Sequence, residues 1–149
     1  MAMRVTTKFY TPLALEIRTD PPSYVGEPLA FQVILQGLRA ATIRAVSVRL
    51  VCEMLRVRLD ERSRWENKFR IKSMEMYRVE NNLGGLRLDP GERREFSTTL
   101  RIPAELPASS QRPVNPAVRW KLQCRAQVEG HPVVFEEAEI VVESRKSNA

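Results

Sequence analysis

The sequence predicts an all-β protein, an antiparallel sandwich of seven to eight strands, on three observations. Apolar and polar residues alternate with a period of two in several separate stretches, and Pro-, Gly- and Asn- or Asp-bearing turns divide those stretches. No segment carries a long amphipathic helical period with caps at both ends. Alternation gives each strand one dry face, and two sheets bury their dry faces against each other without crossover helices.

Along the chain, Leu13, Leu15 and Ile17 alternate with Ala14, Glu16 and Arg18, and Leu29, Phe31, Val33 and Leu35 form the next dry face. Arg39 to Arg49 leaves room for a short helical turn. Val46, Val48, Leu50, Cys52 and Met54 make a third inward set, but beyond it Leu55, Val57 and Leu59 take the apolar role, opposite Arg56, Arg58 and Asp60. One extra residue reverses every later side chain, so this slip predicts a β-bulge or sharp bend near Met54 and Leu55. Phe69 and Ile71, then Met74 and Met76, indicate a further strand with its own irregularity. Phe96, Thr98, Leu100 and Ile102 follow. The strongest signal is Val118, Trp120, Leu122, Cys124, Ala126 and Val128, alternating with Arg119, Lys121, Gln123, Arg125 and Gln127.

Turns are expected at Asp20-Pro21-Pro22, at Asn81-Asn82 with Gly84-Gly85, at Asp89 to Glu92 and at Glu129 to Pro132. There Pro presets φ, Gly supplies positive φ, and Asn or Asp bonds its own backbone. Pro103 to Pro116 reads as a long connection. Residues 1–143 are expected to form a single domain, and 144–149 a flexible C-terminal tail.

At 149 residues folding removes roughly 70% of the unfolded chain's surface from water, so the core needs neither disulfides nor a metal. No uncharged run approaches the ~20 apolar residues of a spanning helix, and Met1 to Thr11 lacks the apolar region of a signal peptide. The expected location is cytoplasmic. The net charge is +6, from 24 Lys and Arg against 18 Asp and Glu. Its excess gathers between Arg49 and Lys72, a stretch able to steer an acidic peptide, a phosphate or an anionic head group.

The chemical motifs point away from catalysis. His131, the one histidine, sits in a Gly-His-Pro turn without further metal ligands or an orienting partner. No Gly-rich phosphate loop, metal-ligand cluster or nucleophile elbow is present, and Glu136 and Glu137 lie on opposite sides of a strand. No catalytic residue, metal or cofactor is therefore expected. Cys52 and Cys124 fall on inward faces with Trp65 between them, in imitation of an immunoglobulin Cys–Trp–Cys frame. Trp65, however, lies in the charged run Arg62-Ser63-Arg64-Trp65-Glu66, and Leu122 stands where that frame would have a Tyr. Two buried free thiols packing as small apolar groups are expected instead. Pro21-Pro22-Ser23-Tyr24 fits the PPxY pattern but lies between two strands, where Tyr24 packs rather than docks a partner.

The second half contains Leu88-Asp89-Pro90-Gly91-Glu92, then Phe96 to Pro103, then Leu106-Pro107-Ala108-Ser109-Ser110, then Val118-Arg119-Trp120-Lys121-Leu122. In this order and spacing the pieces resemble the arrestin-like superfamily, with Trp120 at the aromatic core position. Tyr24-Val25-Gly26-Glu27-Pro28-Leu29 and Ile43 to Glu53 are similar to its earlier strands. The resemblance implies an immunoglobulin-like, arrestin-type β-sandwich and a non-enzymatic adaptor or scaffold, like bacterial sporulation-control and trafficking members. Family members usually pair two sandwiches, and this chain has one. The expected partner is a protein, bound through sheet edges and a basic hairpin formed by Arg56, Arg58, Arg62, Arg64, Trp65, Lys68 and Arg70; strand-edge pairing could also join copies of the chain. The alternative is nucleic-acid or anionic-surface binding through the same Arg-rich 56–72 stretch.

Overall fold

A computed structural model describes residues 4–9, 12–59, 69–111 and 114–145. The alternating stretches become β1 (Arg4–Phe9), β2 (Leu13–Thr19), β4 (Pro28–Gly37), β5 (Ala41–Leu59), β6 (Phe69–Leu88), β7 (Arg93–Arg101), β8 (Ala117–Val128) and β9 (Val134–Ile140). Two two-residue bridges, β3 (Ser23–Tyr24) and β10 (Val142–Glu143), complete the set. One antiparallel sheet has the order β1-β2-β4-β7 and the other β6-β5-β8-β9, while β3 and β10 pair in parallel. This is an all-β sandwich. Among the described residues no helix is long and apolar enough to cross a membrane.

The dry faces meet as the alternation requires. Leu15, Ile17, Phe31, Val33 and Leu35 from one sheet pack with Val46, Val48, Leu50, Trp120 and Leu122 from the other, each at most 4% exposed. Cys52 and Cys124 are both buried and free. They belong to the same sheet, where Cys52 stands opposite Trp120 and Cys124 opposite Val48. Four residues of strand separate their rungs, about 13 Å at ~3.3 Å per residue, beyond the ~7 Å limit for a disulfide.

Three local expectations are corrected. Arg39 to Arg49 holds no helical turn: β5 begins at Ala41, with Ala41 and Ile43 buried in the core. The Asn81–Gly85 segment is not a turn but an irregular stretch inside the 20-residue β6. Arg44 is an extra residue on β5, Leu83 an extra one on β6, and Gly84 adopts φ +91° between them. A Cβ on Gly85 would stand 2.6 Å from the carbonyl oxygen of Arg44, so the glycines serve a bulge rather than a reversal. The third correction concerns the phase slip. β5 stays in register with β8 as far as Leu55 opposite Ala117, and the irregularity lies one turn of the pleat earlier, between Cys52 and Glu53, where Met76 is the extra residue on β6.

Ties at one end of the sandwich fix the long connection after β7. The Trp120 indole N–H donates to the carbonyl of Pro107 (3.0 Å). Ser110 Oγ accepts from the Val118 N–H (2.9 Å), and its own N–H donates to the Val118 carbonyl (3.0 Å). Ser109 makes the same reciprocal pair with Val142, at 2.8 Å each way. Tyr24 is held against β10, with the Arg145 guanidinium 4.4 Å above its ring and paired with Glu27 (3.2 Å).

Candidate functional site

β5 and β6 outrun their sheet. β8 ends opposite Leu55, yet β5 continues to Leu59, paired only with β6 down to the Leu59–Phe69 rung. The result is a two-stranded ribbon projecting past the sandwich. Residues directly opposite in an antiparallel pair share a face, so the two faces of the ribbon follow from the register.

One face continues the inward side of β5. Its rungs are Met54 opposite Met74, Arg56 opposite Lys72, and Arg58 opposite Arg70. All four cations are exposed. Like charges directly opposite repel, and these are the only cation-on-cation rungs in the described sheets. Among the described residues, Arg56, Arg58 and Lys72 have no ion pair or hydrogen bond through their side chains. On the other face, at the ribbon's base, the acidic rung Glu53 opposite Glu75 is neutralised on both sides. Lys121 Nζ lies 2.8 Å from Glu53 and 3.3 Å from Glu137, and Arg78 lies 2.6 Å from Glu75. These contacts hold the Lys121 ammonium above its ordinary pKa, led by the hydrogen bond to Glu53.

Beyond Glu53 and Glu75, the other face of the ribbon carries apolar side chains. Leu55, Val57 and Ile71 line a cleft of about 720 Å³ with Val114 and Val141. Ile71 is 70% exposed and Val114 51%. This is the phase slip: past Met54 the inward-phase positions are the exposed Arg56 and Arg58, and the apolar Leu55 and Val57 stand on the other face, lining the cleft with Ile71 and Val114. At the base, the Asn115 carboxamide bonds both backbone groups of Val57, accepting from its N–H (3.0 Å) and donating to its carbonyl (2.7 Å). One side chain thus supplies the pairing that a continued β8 would have made.

Of the sequence-predicted contact residues, the ribbon brings Arg56, Arg58 and Arg70 onto one face, whereas Arg62, Arg64, Trp65 and Lys68 lie outside the described residues. Sequence reasoning left out Lys72 as a contact and missed Asn115, Met54 and Met74. The lysine was visible in the charge run; the Asn115 contact spans 58 residues and leaves no local signal. Among the described residues no group of His, Cys, Asp and Glu is placed to hold a metal ion. His131 lies in the β8–β9 turn, its N–H bonded to the Val128 carbonyl (3.1 Å), away from the ribbon.

A family profile described as SpoOM protein matches residues 17–143, which is most of the chain. The chain belongs to the Spo0M family. Among solved structures, that of Spo0M, a sporulation control protein from Bacillus subtilis, matches with a TM-score of 0.67 and 17% sequence identity. The match covers 90% of this chain and 50% of that one, so the chain spans half the length of this Spo0M. At that identity the likeness is one of fold. A comparison with curated proteins finds no match. Within the Spo0M match, residues 17–143 take in the whole described ribbon and its Asn115 anchor.

Proposed function

We propose that this Spo0M-family chain is a non-enzymatic, arrestin-like binding module that recruits a protein partner in the cytoplasm, with the ribbon's cationic face as its principal contact. One observation carries the reading. Two successive cation-on-cation rungs stand on a ribbon beyond the end of β8, while the acidic rung at the ribbon's base, on the other face, is compensated by partners. Arg56, Arg58 and Lys72 stand in these rungs without a side-chain partner among the described residues; such charges destabilise the free protein and are relieved by an anionic partner, so they favour association over folding. The described name of the Bacillus subtilis relative, a sporulation control protein, fits a regulatory role of this kind.

The test compares partner capture by the native chain and by the triple variant Arg56→Glu, Arg58→Glu, Lys72→Glu, with Arg87→Glu and Arg125→Glu as a charge control elsewhere on the sandwich. Partners should be lost with the ribbon variant and kept with the control. Partners retained by the ribbon variant would sink the assignment. Loss of nucleic acid rather than protein from the captured material would move the function to the nucleic-acid reading.

A further inference from the structure

We infer that the apolar cleft on the ribbon's other face takes an acidic amphipathic helix of a partner protein, laid diagonally from Ile71 to Val141 with a carboxylate on its flank at Arg119. The inference goes beyond the ladder reading, because it gives the partner a contact on the face that the ladder leaves unused.

The main chain bordering the cleft is already satisfied. Asn115 holds both backbone groups of Val57, Ser109 those of Val142, and Ser110 those of Val118. An extended segment finds no ladder to join there, so whatever docks is recognised by its side chains. The side chains on offer are aliphatic: Ile71, Val57, Leu55, Ala117 and Val141 form a stripe with Val114 alongside. Val57, Ile71, Val114 and Val141 are each at least 39% exposed, an apolar patch of the kind that marks an interaction site.

The stripe has the dimensions of a short helix. Ile71 lies on the outermost strand β6 and Val141 just past β9, three strand spacings apart, or about 14 Å across the sheet. Val141 follows the rung that joins Ile140, Trp120 and Cys52, whereas Ile71 stands opposite Val57, so about four residues, or ~13 Å, separate the two along the strands. The diagonal is about 20 Å, the length of a helix of ~13 residues. Apolar residues at i, i+4, i+7 and i+11 would then put one side chain on the stripe at each turn. Charge selects the sign of the flank. Glu53 is engaged by Lys121 (2.8 Å) and by the Ser73 hydroxyl (3.1 Å), whereas Arg119 reaches Glu139 only at 3.8 Å with about half its side chain exposed. Arg119 is the rim charge most readily re-paired, and it asks for a carboxylate. The net charge of +6 and the ladder cations Arg56, Arg58 and Lys72 steer an acidic partner toward this end of the molecule. A second copy of the chain would bring a like charge and be repelled.

The experiment measures fluorescence anisotropy of labelled peptides on the native chain. One peptide of about 16 residues has Leu at helical spacing, Glu on one flank and Ala elsewhere. A second rearranges the same residues so that the leucines no longer share a face, and a third carries Lys in place of Glu. The first should bind about tenfold more tightly than either of the others, and far-ultraviolet circular dichroism should show it gaining helix on binding. Ile71→Glu should weaken it by about tenfold or more. Arg119→Glu should weaken it likewise while strengthening the lysine peptide, a reversal that a mere loss of structure does not produce. Equal binding of the helical and rearranged peptides, or indifference to either substitution, overturns the inference. So does a dimer of the native chain in sedimentation equilibrium that Ile71→Glu dissociates, which would give the cleft to a second copy. The triple variant Arg56→Glu, Arg58→Glu, Lys72→Glu should weaken the peptide at low salt and leave its dependence on Ile71 and Arg119 intact. If protein capture survives that variant while the peptides still discriminate, the ladder reading falls and the helix site stands; if capture is lost while the peptides do not discriminate, the reverse holds.

Discussion

Raising the pH should destabilise this protein with a slope set by its two thiols. Burial, reinforced by the Glu53 charge, pushes the Cys52 thiol up to about 11, and burial with the Glu136 charge pushes Cys124 up to about 12, from an ordinary value of 9.0. In the unfolded chain at pH 10 each thiol is about nine-tenths ionised, whereas in the folded chain both remain largely protonated. The native state then holds more protons, so stability is intact below pH 9 and falls as the pH rises toward 11. Each thiol contributes about 0.8–0.9 of a proton, or about 1 kcal/mol per pH unit, and the pair about 2. Lys121, also raised, stabilises the fold below 10.5 and loses that contribution only above it, so pH 9–10.5 isolates the thiols. Urea unfolding across this window should give a slope for Cys124→Ala or Cys52→Ala about half that of the parent, whatever the intercepts. Parallel slopes for parent and variants would refute the reasoning, as would a thiol count below two on unfolding without reductant.

Trp120 is wholly buried, and Trp120→Ala should cost about 3–5 kcal/mol, a large part of a domain's ~5–15 kcal/mol, read as a shift of the urea midpoint. Glu136 is 7% exposed with one carboxylate oxygen unpartnered. Glu136→Met should therefore stabilise by about 1–2 kcal/mol in the same assay. Asn115→Ala removes two bonds from the exposed Val57 backbone and should open the ribbon locally by about 1 kcal/mol. Amide exchange at Val57 should quicken while the melting temperature barely moves.

The core was legible because it obeys a local rule. Every second residue from Val118 to Val128 faces the facing sheet, and a reader needs only the period to find Trp120 and Leu122. Free thiols followed from their inward phase, and the turns at Gly91 and Gly130 from residues able to take positive φ. The same reasoning failed where one signal serves two structures. Gly84-Gly85 after Asn81-Asn82 reads as a reversal, yet the chain uses it inside β6 to accommodate the extra residues Arg44 and Leu83. The slip at Met54 and Leu55 was a true feature with the wrong cause. Periodicity reports which face is dry, and it cannot report that the second apolar set, Leu55 and Val57, lines a separate cleft with Val114. The ladder itself needs register: Arg56 and Lys72 are 16 residues apart in sequence and become neighbours only through the Met76 bulge.

A two-stranded ribbon is marginal in water, and one with repelling rungs more so, which means its rigidity must come from its base. The base is the connection after β7: Asn115 grips Val57, Val114 packs beside it, and Ser109 and Ser110 bind that connection to Val142 and Val118. Replacing both serines by alanine strands two half-buried backbone donors, at about 1–3 kcal/mol each, without touching a charge. Peptide affinity at the ribbon should then fall because a looser surface must be ordered on binding. The salt dependence should remain that of the parent, because the same cations meet the same carboxylates. Lys72→Glu should do the reverse and flatten the salt dependence while leaving the fold intact. Titrations at low and moderate salt separate the two, and a double serine variant that flattened the salt response would show that the connection contributes charge rather than order.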